Sequence, residues 1–211
     1  MHTNAQALDE VIRQRRTLKM LAAEPLPAST QREVINEVIA AGAWAPFHKP
    51  SSSTHRGELN SFVPWRAYAL DAAACRRLRE KLIEVGDTTK IVQMLAAAEA
   101  LIQVTWLPNP AKSETDALFE PTLENMEHLA AASAAVQNML LTATARGFEN
   151  YWSSGGALRE KLVFDWMGIP ATEILLGGIF LFPAETDNVE TAEGKLRHKR
   201  GDVETWAKWI S

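Results

Sequence analysis

The segment EILLGGIFLFPAE (residues 173–185) is apolar at almost every position between its two terminal glutamates. A strand that is apolar on both faces must be covered on both, so this pattern predicts a strand in the middle of a sheet. Shorter patterns predict three further strands. They are WRAYAL (65–70), which alternates, LIQVTWLP (101–108) and FENYWSS (148–154). The segment 173–185 is therefore expected to be the strand around which the rest of the chain packs.

Two helices are predicted ahead of these strands. The first is amphipathic, with Leu8 and Ile12 on one face, and it is expected to continue into RQRRTLKML (13–21). The second begins near Thr30, which forms a capping-box pattern with Glu33. The amino-terminal part of the chain is therefore predicted to be helical.

Later helices are predicted at 71–85, 122–146 and 156–168. The helix at 122–146 is rich in alanine and serine and is apolar on more than one face. Such a helix usually lies at the centre of a core or in a subunit interface. The strands are few, and no regular alternation of strand and helix is present. This favours an α+β domain with a mixed sheet and flanking helices over a doubly wound fold.

Composition excludes several classes of protein. The chain has 211 residues, which suits one domain, and its formal net charge of −4 gives no general reason to expect nucleic acid as a partner. No apolar run approaches the ~20 residues of a membrane span, and the amino terminus lacks an apolar signal segment, so a cytoplasmic protein is expected. The single cysteine, Cys75, excludes an internal disulfide and is expected to be a structural thiol.

The loop APFHKPSSSTHRGELNSFVPWR (45–66) has four possible roles: a linker, a Ser/His catalytic loop, a metal site, or a loop that serves a cofactor. No G-x-S-x-G motif accompanies its serines, which argues against a hydrolase. His48, His55 and Glu58 have no recognised metal-ligand spacing. A linker is disfavoured because the following strand needs partners from both sides of the loop. No metal is expected, and the cofactor role remains.

Two basic clusters lie at opposite ends of the chain. Residues 13–19 combine Arg15, Arg16 and Lys19 with the hydroxyl of Thr17, and KLRHKR (195–200) is of the same kind. Each cluster could be a solvated face, but guanidinium, ammonium and hydroxyl groups together also suit a phosphate monoester.

The turn in ENYWSSGGALRE (149–160) also has two interpretations. Ser153 or Ser154 could cap the following helix, with the glycines supplying the turn. Alternatively, the small residues beside Trp152 let the backbone approach a flat ligand or an anion closely.

Taken in order, these segments resemble the FMN-dependent nitroreductase family, and in particular its small single-domain members with an A-P-x-H loop. The resemblance spans about residues 5–185. The motifs that carry it are Arg15-Arg16-Thr17, Ala45-Pro46-Phe47-His48, Pro64-Trp65-Arg66, Ala145-Arg146-Gly147-Phe148, the turn Trp152–Leu158 and the strand Gly178–Pro183. No dinucleotide fingerprint of the Rossmann or P-loop type is present.

The resemblance implies a mainly antiparallel sheet and an interlocked homodimer, with the 122–146 helix as a candidate for its core. It implies FMN as cofactor, NADH or NADPH as electron donor, and ping-pong reduction of a small acceptor such as a nitroaromatic or a quinone. Because the flavin carries the chemistry, no catalytic side chain is assigned. The implied cofactor-binding residues are Arg15, Arg16, Thr17, Lys19, His48, Trp152, Ser153, Ser154, Gly155, Lys199 and Arg200, with Arg197 or His198 as alternatives in the tail.

The chain departs from the family pattern in two segments. The 15 residues between His48 and Pro64 exceed the few that the family uses, so residues 49–63 are interpreted as an insertion at the rim of the active site, with His55 facing solvent or acting as a lid. The tail, 186–211, is unusually basic and rich in tryptophan, and its apolar residues are expected to dock. Two alternatives remain open: a flavin enzyme of different chemistry, and a flavin-binding protein without turnover.

Overall fold

The computed structural model describes residues 3–27, 31–113, 117–184 and 189–210. Within them the helices are α1 (Asn4–Gln14), α2 (Arg32–Ala41), α3 (Ala72–Glu84), α4 (Lys90–Ala97), α5 (Leu123–Ala145) and α6 (Lys161–Met167). The strands are β1 (Leu18–Leu21), β2 (Trp65–Asp71), β3 (Ala100–Trp106), β4 (Glu149–Ser153), β5 (Ile174–Phe182) and β6 (Glu190–Glu193). The α+β class predicted from the sequence is confirmed.

The predicted central strand is confirmed as well. β5 pairs with β3 on one edge and with β4 on the other, in a sheet ordered β2-β3-β5-β4. The sequence predicts a mixed sheet, whereas each pair among the described strands is antiparallel. The register between β3 and β5 shifts where Val104 pairs with Gly177 and Thr105 with Leu175. Leu176 is therefore an extra residue on β5, which is a β-bulge.

Both faces of the sheet are covered, and this explains why β5 is apolar throughout. Phe180 and Phe182 pack on one face in a cluster with α3 and α4. Ile179 and Leu181 pack on the other face with α2 and α5. Because successive side chains of a strand point to opposite faces, a strand between two helical layers needs apolar residues at every position. None of the helices in the described ranges combines the length and the apolar composition that a bilayer crossing requires.

The first helix is shorter than predicted. α1 ends at Gln14, and the backbone of Arg15 leaves the helical region at φ −54°, ψ 118°. Residues Leu18–Leu21 form β1, which pairs antiparallel with β6. The strand buries Leu18 and Met20 while Lys19 between them stays half-buried. The prediction of a helix through residue 21 is wrong. Leu18 and Met20 are buried two residues apart, as in a strand, and β6 supplies the strand with which they pair.

Other boundaries also differ from the predictions. The sequence pattern does not predict α4 or β6. The predicted helix 156–168 is divided at Glu160, whose backbone is extended, into a 3-10 turn (Gly156–Arg159) and α6. Thr30, the predicted cap of α2, lies outside the described residues, and Gln31 occupies the N-cap position without a side-chain cap hydrogen bond.

Residues 49–63, interpreted from the sequence as an insertion, fold back on themselves. The ends of this segment are joined by a hydrogen bond from the Ser51 amide to the Phe62 carbonyl, 2.9 Å. The guanidinium of Arg66, 3% exposed, donates to four carbonyl oxygens, those of Arg56, Ser61, Val63 and Trp65. His55, expected to face solvent or to act as a lid, is half-buried, and its Nδ1 lies 2.7 Å from the Pro108 carbonyl. The insertion is therefore an ordered loop held by a buried cation.

Candidate functional site

A cavity of about 470 Å³ lies beside the β1–β6 pair. The pairing of β1 with β6 forms the cavity, because it places the residues that follow β6 beside the residues that follow α1. The residues that line it are Arg15, Arg16, Thr17, Lys19, Lys90, Tyr151, Ala192, Glu193, Gly194, Lys195, Leu196, Arg197 and Arg200. The two basic clusters, separate in sequence, therefore meet in one cavity.

Most of the charged residues that line the cavity are cations, and Arg15 lies close to two of them. Burial lowers the pKa of its guanidinium, and the nearby cations of Arg200 and Arg197 lower it further. Like charges held close together favour a bound anion, because the anion removes their mutual repulsion. Glu193 is the acidic residue among the described lining residues, and it is engaged by Arg16.

Arg16 differs from Arg15 because it is already paired. Its Nη2 lies 2.6 Å from Glu149 and its Nη1 lies 2.9 Å from Glu193. The hydrogen bond to Glu149 is the main reason that the pKa of Arg16 is raised. Glu149 lies on β4 and Glu193 on β6, so Arg16 joins the segment between α1 and β1 to both strands and mainly fixes the wall of the cavity.

The tail is fixed to the cavity by its backbone and by Arg197. The Gly194 amide donates to the Thr17 carbonyl at 2.8 Å, and a Cβ at Gly194 would lie 2.9 Å from the Thr17 Cβ. Arg197 donates to the carbonyls of Arg13 and Arg15. Arg200 lies at the cavity, whereas Lys199 is exposed and does not line it. Among the tail cations, Arg200 and Lys195 are thus the ones left for an anion.

Two lysines lie at the cavity with Tyr151. The ammonium of Lys19 is 4.8 Å from the centre of the Tyr151 ring, which is a cation–π contact. Lys90 is the first residue of α4, a helix that the sequence pattern does not reveal. Lys90 is therefore a lining residue that sequence reasoning missed, and no local motif marks it.

The predicted turn lies next to this cavity without lining it. β4 ends at Ser153, whose hydroxyl accepts a hydrogen bond from the Gly155 amide at 3.2 Å. Gly155 has φ +115°, a conformation that favours glycine. A Cβ at Gly156 would lie 3.7 Å from Ile91, the neighbour of Lys90. Only Gly156 of this turn is thus placed near α4, and Trp152, Ser153, Ser154 and Gly155 are not among the described residues that line the cavity.

His48 is not brought to the cavity within this chain. Its side chain is 77% exposed, and its Nδ1 lies 3.7 Å from Glu127 near the start of α5. No residue of the insertion is among the described residues that line the cavity. Within the described part of the chain, no group of three or more His, Cys, Asp or Glu side chains is placed to hold a metal ion.

The residues of the cavity fit a flavin mononucleotide at its charged end. Arg15 and Arg200 supply cations without a carboxylate partner among the described residues, and Thr17 supplies a hydroxyl. Tyr151 gives the cavity an aromatic wall, and Lys19 and Lys90 add positive charge around it. A ligand with a dianionic phosphate and a flat ring matches this combination of groups.

Comparison with known proteins gives a family. The model of the nitroreductase family matches residues 12–181, and no curated protein matches the chain. Among solved structures, a nitroreductase-like family protein from Bacillus cereus is 20% identical, with a TM-score of 0.60, covering 97% of this chain and 100% of that one.

Two further structures carry ligands. A nitroreductase from Bacteroides fragilis with bound FMN is 18% identical, with a TM-score of 0.54 and coverage of 93% and 97%. The nitroreductase CinD from Lactococcus lactis, in complex with nicotinic acid, is 14% identical, with a TM-score of 0.58 and coverage of 92% and 98%. At these identities the likeness shows the fold.

Proposed function

The chain belongs to the nitroreductase family, and on that premise we propose that it is an FMN-dependent oxidoreductase that uses NADH or NADPH to reduce small acceptors such as nitroaromatics or quinones. The observation that carries this proposal is the convergence of Arg15 and Arg200 in one cavity from opposite ends of the chain. A phosphate monoester is a dianion that needs two or three charge-assisted partners. The FMN bound by the Bacteroides fragilis protein supports the choice of ligand.

We assign the residues as follows. Arg15, Thr17 and Arg200 bind the phosphate. Lys19, which contacts Tyr151, and Lys90 add positive charge to the cavity, which favours negative charge on a bound ring. When bound at these residues, FMN would supply the redox chemistry between the nicotinamide nucleotide and the acceptor, for which we propose a ping-pong order. The protein binds and orients the flavin and shields it from solvent.

We propose that the protein is a homodimer. Several large apolar side chains are exposed in the single chain, among them Leu8 (56%), Trp44 (86%) and Trp209 (99%). Leu123 and Met126, in the first turn of α5, are exposed as well. A second copy that covers these surfaces would remove them from water. We assign His48 to the cofactor site of the second copy, because it lies outside the cavity of its own chain.

We also propose a cytoplasmic setting. Cys75 is fully buried, and burial raises the pKa of its thiol to about 12, so it is an inert core residue. A chain with one such cysteine needs no oxidising compartment for folding.

The direct test is to purify the protein and measure flavin absorbance and FMN affinity. The double variant Arg15→Ala, Thr17→Ala is expected to fold and to lose FMN retention. Arg77→Ala is the matched control, because Arg77 is an exposed cation on α3 outside the cavity. A colourless protein that takes up no FMN would refute the proposal, and unchanged retention in the double variant would refute the phosphate assignment.

Anaerobic titration tests the reaction itself. NADH or NADPH should bleach the flavin absorbance, and an acceptor panel should restore it. Bound FMN that neither nucleotide reduces would indicate a flavin-binding protein without turnover. Reduction by the nucleotide without reoxidation by nitroaromatics or quinones would indicate a flavin enzyme of different chemistry.

A further inference from the structure

A second cavity, of about 530 Å³, lies at the start of the central strand β5. It shares none of its described lining residues with the cavity proposed for FMN. Phe119, Phe164 and Ile174 form apolar walls, and Glu173 and His55 are among its polar residues. Small-molecule sites have volumes of about 300–1,000 Å³ and combine apolar walls with a few polar groups. The second cavity has both properties.

Glu173 brings a buried carboxyl group to this cavity. The residue is 5% exposed, and its two oxygens accept hydrogen bonds from the hydroxyl of Tyr68, at 2.8 Å, and from the hydroxyl of Thr105. Glu173 forms no ion pair among the described residues. The charge of Arg66 acts on it, but the guanidinium of Arg66 donates to four backbone carbonyls. A buried carboxylate without a paired cation costs free energy, which an entering cation offsets.

The pKa of Glu173 indicates the same lack of compensation. Burial raises this pKa, although the hydrogen bonds from Thr105 and Tyr68 and the charge of Arg66 act in the opposite direction. Desolvation therefore outweighs the contacts that favour the carboxylate. A cation in the cavity supplies the interaction that the chain itself does not.

The other polar groups of the cavity favour a ligand that donates hydrogen bonds. Nδ1 of His55 lies 2.7 Å from the Pro108 carbonyl, which can only accept, so Nδ1 carries the hydrogen and Nε2 of the neutral ring is left as an acceptor. Glu120 adds a second carboxylate to the lining. Arg159 is the only cation among the described residues that line this cavity, and its guanidinium donates to three backbone carbonyls.

We propose that this cavity is a second ligand site, which takes a small primary amine with an aromatic or apolar body. The ammonium group pairs with the carboxylate of Glu173 and donates to Nε2 of His55. The body of the ligand packs against Phe119 and Phe164. The proposal is independent of the proposed function, because the site uses none of the residues assigned to FMN.

Calorimetry with three probes of similar shape tests the chemistry of the ligand. The probes are 2-phenylethylamine, 2-phenylethanol and phenylacetate. The amine should bind about tenfold more tightly than the alcohol, because a charge-assisted hydrogen bond separates the two. Phenylacetate should bind more weakly than either, because its charge repels that of Glu173. Amine affinity should be the same with and without FMN.

Three outcomes of this comparison would overturn the proposal. The first is no binding of the amine at millimolar concentrations. The second is equal affinity for the amine and the alcohol, since filling of an apolar space would then explain both. The third is competition between the amine and FMN, which would place both ligands in one cavity.

Glu173→Gln tests the pairing itself, because the amide keeps the size of the side chain and removes its charge. Amine affinity should fall about tenfold or more in this variant. His55→Ala removes a neutral acceptor and should cost about fivefold. The matched control is Glu80→Gln, which changes an exposed carboxylate of α3 outside the cavity and should bind the amine as the wild type does. Wild-type amine affinity in Glu173→Gln, or an equal loss in Glu80→Gln, would contradict the assignment.

Discussion

Replacing Arg200 by alanine should weaken FMN binding without weakening the fold. Arg200 lies at the cavity, and its charge contributes to the lowered pKa of Arg15. A hydrogen bond between charged groups contributes about 1.5–3 kcal/mol, and the exposure of Arg200 favours the lower end. A loss of about 1.5 kcal/mol corresponds to a dissociation constant about tenfold higher.

The assay compares two ligands and two variants by calorimetry. FMN carries the phosphate and riboflavin does not, so Arg200→Ala should weaken FMN binding while leaving riboflavin binding unchanged. Lys199→Ala is the matched control, since Lys199 is a neighbouring exposed cation that does not line the cavity. The FMN difference should shrink at high ionic strength, because salt screens charges near the surface.

The unliganded protein provides an independent check. Removing Arg200 relieves repulsion on Arg15, so thermal stability without FMN should be unchanged or slightly higher. The reasoning is refuted if Lys199→Ala weakens FMN binding as much as Arg200→Ala does. It is also refuted if riboflavin and FMN lose affinity equally, because the contact would then not be with the phosphate.

Three further predictions concern the stability of the fold. Gly177→Ala should lower the free energy of unfolding by about 1–3 kcal/mol in urea titrations, because its Cβ would overlap the indole of Trp152. Arg66→Met should cost about 3 kcal/mol and make the insertion sensitive to limited proteolysis, since four carbonyls lose their donor. Burial raises the pKa of Glu173, so the folded protein loses stability as the pH rises through that pKa. Unfolding measured across pH should therefore show Glu173→Gln gaining stability relative to the wild type as the pH increases.

The local spacing of apolar residues is enough to predict most of the strands and helices that form the core. The strands β2, β3 and β5 and the helices α2, α3 and α5 follow from apolar spacing, because each buries a continuous face whatever its neighbours are. The turn after β4 was also visible, since serine and glycine mark it directly. α4 and β6 were missed. β6 is a short polar strand whose pairing depends on β1, about 170 residues earlier.

The sequence by itself determined the layers, the central strand and the presence of two basic clusters. Only the tertiary structure decided which of those cations share a cavity. It pairs Arg16 with Glu149 and Glu193, leaves Arg15 facing Arg200, and adds Lys90 from a helix without a motif. The physical reason is that apolar residues recur at regular spacings along a helix or a strand, so the buried face can be read locally. Charge pairing depends instead on distances between residues that are far apart in sequence.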